Sequence, residues 1–155
     1  MASIDRKNQQ TSHHNGVGYY IAENLQYKIC RSSDQSYNYN FDKQTGDFYR
    51  WGKTTKNSDD PLFCPLGPEI LDLEISINGC SSNCDYCYKK NTNAPPTNMS
   101  FQIFKSILDK MPPVLTQVAF GITNETTNPE MLQMMSYCRK KGVIPNVTIN
   151  GKQLS

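Results

Sequence analysis

No segment of this sequence approaches the roughly 20 consecutive apolar residues that a membrane span needs. Its first residues, Met1-Ala2-Ser3-Ile4-Asp5-Arg6-Lys7, lack the apolar core of a secretory leader. An excess of either charge is missing too. Sixteen Lys and Arg against 14 Asp and Glu leave a net charge of +2, so there is no electrostatic case for a nucleic acid or an anionic membrane as partner. Histidine is scarce: the two residues, His13 and His14, sit side by side near the N-terminus, which argues against a histidine-built catalytic site. The hydrophobic fraction is 37% and mean hydropathy is −0.63, and the shortfall is concentrated near the N-terminus. These absences make a cytoplasmic chain the expectation. Without a leader, the 6 cysteines read as metal ligands or plain thiols rather than a disulfide framework.

The length of 155 residues suits one domain with a core and is short for two of ordinary size. Residues 1–18 are polar and read as a flexible tail. Residues 19–68 read as an N-terminal extension. Its first part leans to strand through Tyr19, Tyr20, Ile21, Leu25, Tyr27 and Ile29. A β-hairpin follows over 36–52, where Tyr37, Tyr39 and Phe41 alternate with polar residues, Asp42 to Gly46 form a turn, and Asp47 to Gly52 return. Such aromatics can stack on nucleobases, but a half-buried sheet is the plainer reading. A polar linker with Pro61, Pro65 and Pro68 ends the extension.

From residue 69 to 155 the texture changes to α/β. Leu71, Leu73, Ile75 and Ile77 alternate with Asp72, Glu74 and Ser76, which predicts a strand. Ser100 is placed to N-cap a helix bearing Phe101, Phe104, Ile107, Leu108 and Met111 on one face, stopped by Pro112-Pro113. Leu115 to Gly121 is a second strand. Asn128 reads as the cap of a second helix, with Pro129 at its first position and Arg139, Lys140 and Lys141 in its last turn. Ile144 to Ile149 is a third strand. Strand, helix, strand, helix, strand builds a parallel sheet. One face of that sheet is polar: Asp72, Glu74, Ser76, Gln117, Asn146, Thr148 and Asn150. A parallel sheet packed on both sides is apolar on both, so the polar face predicts the lumen of a partial TIM-like barrel holding a polar ligand. Asp72, Glu74 and Asn150 are its candidate contacts.

The chemistry is concentrated after the first of these strands, in Asn78-Gly79-Cys80-Ser81-Ser82-Asn83-Cys84-Asp85-Tyr86-Cys87. Three thiolates on one short loop can each take one iron of a cubane, leaving the fourth iron open, whereas electron-carrying ferredoxins supply four. The loop lies where α/β barrels place their active sites, at the C-terminal end of a strand.

This spacing, C-x3-C-x-aromatic-C, resembles the signature of the radical-SAM superfamily, with Cys80, Cys84 and Cys87 at the cysteines and Tyr86 at the aromatic position. The resemblance implies a [4Fe–4S] cluster on the three cysteines. It also implies S-adenosylmethionine (SAM) on the open iron, cleaved by one electron from an external donor to a 5′-deoxyadenosyl radical that abstracts hydrogen from a substrate. Tyr86 is then expected beside adenine. Gly121-Ile122-Thr123 stands where the family holds the SAM amino group, with Gly121 the matching position and backbone carbonyls the expected contacts. Thr148-Ile149-Asn150-Gly151 is similar to the family's third strand end. The wording around Phe120 and Asn146 to Gly151 is similar to phage-encoded members. A full family barrel has six βα units. The expectation here is a radical-SAM-type barrel truncated after three strands, with a second chain as a candidate to complete it.

Two rivals stand beside this reading. One is a zinc site using Cys64, Cys30 or a histidine as fourth ligand, although structural zinc sites usually pair their ligands in two knuckles. The other is a non-catalytic iron–sulfur fragment that works only with a partner chain. Cys138, near Met131, Met134 and Met135, reads as core. Lys89 and Lys90 read as a solvated basic loop or an aid to electron entry.

Overall fold

The structure is a computed structural model, and its described residues are 9–14, 16–53, 60–77, 84–87, 89, 95–123 and 128–149. The chain divides into two compact units. The first holds residues 1–69 together with 111–116, and the second holds 70–110 and 117–155. No helix among the described residues is long and apolar enough to cross a membrane.

The first unit is a five-stranded antiparallel meander of β1 (Gln9–His14), β2 (Val17–Glu23), β3 (Tyr27–Ser32), β4 (Asn38–Asp42) and β5 (Phe48–Trp51), paired in sequence order. Alternation puts Tyr19, Ile21, Cys30, Tyr39 and Phe41 on one buried face, with Ile21 opposite Cys30 and Cys30 opposite Tyr39. Asn24 closes the β2–β3 turn by accepting from the amides of Gln26 and Tyr27. Asp42 does the same for Gln44 and Thr45 in the β4–β5 turn, where Gly46 takes the left-handed φ of 84°. The 36–52 hairpin is therefore present, with strands at Asn38–Asp42 and Phe48–Trp51.

Residues 9–14 differ from the flexible-tail expectation, because they form β1 and pair with β2 along their whole length. Backbone bonds hold this edge strand rather than its own side chains. Gln10, Thr11 and His13 are exposed, so hydrophobic patterning gives no sign of it.

Residues 111–116, between the first helix and the next strand of the second unit, pack in the first unit. Val114, Leu115 and Thr116 are buried there. The Tyr39 hydroxyl donates to the Val114 carbonyl (3.0 Å), and the Lys28 ammonium donates to the Leu115 carbonyl (2.6 Å). Thr116 donates to the Glu69 carbonyl through both its amide and its hydroxyl, each at 2.8 Å. The strand expected from Leu115 consequently starts at Gln117.

Lys28 carries a pH signature. Only 4% exposed, it is pushed from 10.5 down to about 8 by burial, with Glu23 opposing. Between about 8 and 10.5 the unfolded chain holds a proton there that the folded chain has released. Stability from this group therefore rises with pH across that window, by at most ~1.4 kcal/mol per unit. Replacing it (Lys28→Met) is expected to remove that rise. Urea unfolding of both chains at pH about 7.5 and 9.5 checks this, since the difference between them isolates Lys28 from other titrating groups.

The second unit contains β6 (Ile70–Glu74), β7 (Ser76–Ile77), β8 (Thr97–Asn98), α1 (Phe101–Leu108), β9 (Gln117–Gly121), α2 (Met131–Lys140) and β10 (Ile144–Thr148). β6, β9 and β10 form a parallel sheet in the order β10-β9-β6, and β7 and β8 form a separate antiparallel pair. Val118 and Phe120 of β9 are buried, with the Phe120 ring 5.4 Å from that of Phe104 on α1. Phe101 and Tyr137 join the helices edge to face at 5.6 Å. Ser100 caps α1 as expected, accepting from the Ile103 amide.

Two expectations change here. Asn128 is not the helix cap: α2 starts after Glu130, whose carboxylate instead accepts from the Phe101 amide at the start of α1. And no barrel forms among the described residues. Three strands with helices α1 and α2 cannot curl shut as a full barrel does. The row of Asp72, Ala119 and Asn146 and the row of Glu74, Gly121 and Thr148 share one face by register. Asp72, Glu74, Asn146 and Thr148 on it are exposed, so this polar face is open rather than a closed lumen. Ser76 leaves that face altogether. It is 1% exposed and its hydroxyl bonds the Asn98 side chain at 2.7 Å.

Candidate functional site

The cysteine motif hangs between two fixed points of the second unit. At Ile75 the chain leaves the parallel sheet: its amide still bonds the Gly121 carbonyl (2.9 Å), while its carbonyl accepts from the Met99 amide (2.9 Å). Ser76 and Ile77 then pair with Asn98 and Thr97, so β7 and β8 form a laddered base at the two ends of the segment that carries the motif. Asn128, 4% exposed, braces that base. Its side-chain amide donates to the carbonyls of Ile75 (2.8 Å) and Met99 (3.0 Å), and its side-chain oxygen accepts from the Glu130 amide (2.9 Å). One carboxamide thereby ties the loop base to the entries of both helices.

Within the loop, Cys84 to Cys87 form a turn in which the Cys87 amide donates to the Cys84 carbonyl at 3.0 Å. Both cysteines are half-buried, and Tyr86 between them is 89% exposed. Cys80 and Asn150 lie outside the described residues. No three His, Cys, Asp or Glu side chains come together among the described residues.

Of the motif's three cysteines, Cys84 and Cys87 are described: they stand three residues apart on one turn, half-buried. Cys30 is fully buried and its thiol is pushed up to about 12 by burial, with Cys64 adding to the effect. Burial also raises Cys64, and it lifts Cys138 to about 11. Without a metal beside them, such thiols resist ionisation. His13, exposed on β1, belongs to the five-stranded sheet of the first unit.

Gly121 ends β9, and Ile122 and Thr123 follow it half-buried. A Cβ on Gly121 would stand 2.6 Å from the Lys89 ammonium and 3.2 Å from the Glu74 Cα. Lys89 in turn bonds Glu74 at 3.0 Å. The sequence offers Glu74 as a lumen contact and Lys89 as a solvated loop residue. The structure joins them, and only their positions on either side of the motif could have signalled it.

The second unit is thus a βαβαβ sheet with a cysteine loop after its first strand. No family model matches the chain, and no solved structure matches it. Over 90 residues it is 30% identical to the tungsten-containing aldehyde ferredoxin oxidoreductase cofactor-modifying protein of Pyrococcus furiosus, a stretch covering 56% of this chain and 25% of that protein. The chain matches about a quarter of the length of that curated relative.

Proposed function

We infer that this chain carries the cluster-binding loop of a radical-SAM enzyme, with Cys80, Cys84 and Cys87 as the ligands of a [4Fe–4S] cluster. The observation that carries this reading is the three-cysteine motif on a loop braced at the C-terminal end of a parallel strand. The partial similarity to a cofactor-modifying protein supports it. When bound, the cluster would pass one electron from an external donor to SAM, releasing methionine and a 5′-deoxyadenosyl radical for hydrogen abstraction.

This chain's own residues hold and orient. The Cys84–Cys87 turn keeps two ligands adjacent. Tyr86, exposed between them, presents a ring for adenine to pack against. Gly121 has no side chain, which leaves its carbonyl and those of Ile122 and Thr123 as the acceptors for the SAM amino group. The Gly121 carbonyl also accepts the Ile75 amide, and a carbonyl has two lone pairs to share. Asp72 and Glu74 on the open polar face, with Asn150, are the substrate-side candidates.

A second reading rests on that open face: the loop binds its cluster here, and turnover requires a further chain that covers the sheet. Incubating the reconstituted protein anaerobically with SAM and a strong reductant separates the two. 5′-Deoxyadenosine and methionine formed in equal amounts support an enzyme on its own. A bound cluster without SAM cleavage supports the partner-dependent reading. A chain that binds no iron sinks both.

A further inference from the structure

We propose that the outer face of the five-stranded sheet holds a binding site for a nucleoside monophosphate, built around Arg31. The site lies within the first unit and is independent of the cysteine motif. Register places Thr11, Tyr20, Arg31, Asn38 and Trp51 in one row across all five strands. In the neighbouring row His13 stands opposite Gly18. A Cβ on Gly18 would lie 3.2 Å from His13 Nε2 and 3.5 Å from the Ser33 hydroxyl, so the bare glycine lets these two groups converge above it. The result is an open cleft of about 500 Å³, with Thr11, His13, Tyr20, Arg31 and Ser33 in its walls. That volume suits a small organic molecule better than a bare ion.

The lining selects for negative charge. It offers hydroxyl, imidazole and guanidinium groups, and no carboxylate lines it among the described residues. Asp34, the acid next to Ser33 in the sequence, accepts instead from the amide and hydroxyl of Ser36. Arg31 is half-buried. Its guanidinium donates to the Cys30 carbonyl, the Tyr39 carbonyl and the Asn40 side-chain oxygen, each at 2.7 Å, and stacks on the Trp51 ring at 4.6 Å. All three acceptors are neutral. A sheltered cation whose hydrogen bonds go to neutral groups still favours an anion, and the guanidinium shape matches phosphate. Its Nη1 donates twice and its Nη2 once, which leaves an N–H on Nε and one on Nη2 for that anion. The bonds and the ring already fix its plane, so little side-chain freedom remains to be lost on binding. Tyr20, 37% exposed, supplies a ring face for a planar base.

Trp51 is the single tryptophan of the chain, so its emission reports on Arg31. Calorimetry and Trp51 emission, with the full chain titrated by each of the four common ribonucleoside monophosphates, test the site. At least one should bind saturably. Its parent nucleoside and inorganic phosphate should each bind about tenfold more weakly or worse, since one lacks the charge-assisted bonds and the other the ring. Arg31→Met would also remove three bonds within the sheet, so the exposed Ser33 is the better probe. Ser33→Glu puts a carboxylate in the cleft and should weaken binding about tenfold or more, while the neutral Ser33→Gln should weaken it several-fold less. Three results would each overturn the site: no saturable binding of any of the four nucleotides, a nucleoside or inorganic phosphate that binds as tightly as the nucleotide, or wild-type affinity in Ser33→Glu.

Discussion

The Cys84→Ala chain is expected to bind no [4Fe–4S] cluster after anaerobic treatment with iron and sulfide, while its fold stays intact. Cys84 is half-buried on a loop turn, and its backbone carbonyl, which alanine keeps, accepts the Cys87 amide. Being only half-buried, its side chain should cost less to truncate than a core side chain, for which the loss is about 2 kcal/mol or more. A loss of iron and visible absorption with an unchanged circular dichroism spectrum would therefore mark a ligand, not a structural residue. Cys138→Ala is the matching control. Cys138 is fully buried in α2, so its truncation should lower stability by roughly 1 kcal/mol and leave iron uptake unchanged. Retention of a cubane by Cys84→Ala would refute the ligand assignment.

Asn128→Leu should cost the second unit about 2–4 kcal/mol. Leucine has the same branching as asparagine and is bulkier, so the loss comes from hydrogen bonding and crowding rather than from a cavity. Three bonds disappear at a site that is 4% exposed: two to the carbonyls of Ile75 and Met99 and one from the Glu130 amide. Each is worth about 1 kcal/mol net, and buried groups left without a partner add about 1–3 kcal/mol. The Ile75 carbonyl keeps its bond from the Met99 amide, which holds the total to the range given. Denaturant unfolding followed by hydrogen exchange in α1 and α2 measures it. A change below about 0.5 kcal/mol, the scatter of ordinary surface substitutions, would show that Asn128 is not the brace of the loop base.

The second unit was legible where side-chain period decides structure. Leu71 and Leu73, Phe104 and Leu108, and Val118 and Phe120 repeat at strand and helix spacing, and Ser100 caps α1 as its position predicts. The cysteine motif was legible because three thiols at fixed spacing form a chemical pattern that needs no tertiary information. What stayed hidden depends on partners distant in sequence. β1 is polar and held by its backbone pairing to β2. Leu115 looks like the start of β9, but it lies with Val114 in the first unit, where the carbonyls of the two meet Lys28 and Tyr39. Asn128 followed by proline has the local look of a helix cap, yet its amide is used by Ile75 and Met99. The polar face of the sheet is legible as a face, because alternation fixes which side a residue takes; what covers that side is not, because it depends on residues distant in sequence.

Whether Cys80, Cys84 and Cys87 hold an iron–sulfur cluster with one open iron is decided by metal and sulfide analysis after anaerobic reconstitution, with zinc offered in a parallel sample. About four irons and four sulfides per chain are expected, with an electron paramagnetic resonance signal of the reduced cluster that changes when SAM is added. Stoichiometric zinc with no iron uptake would contradict it.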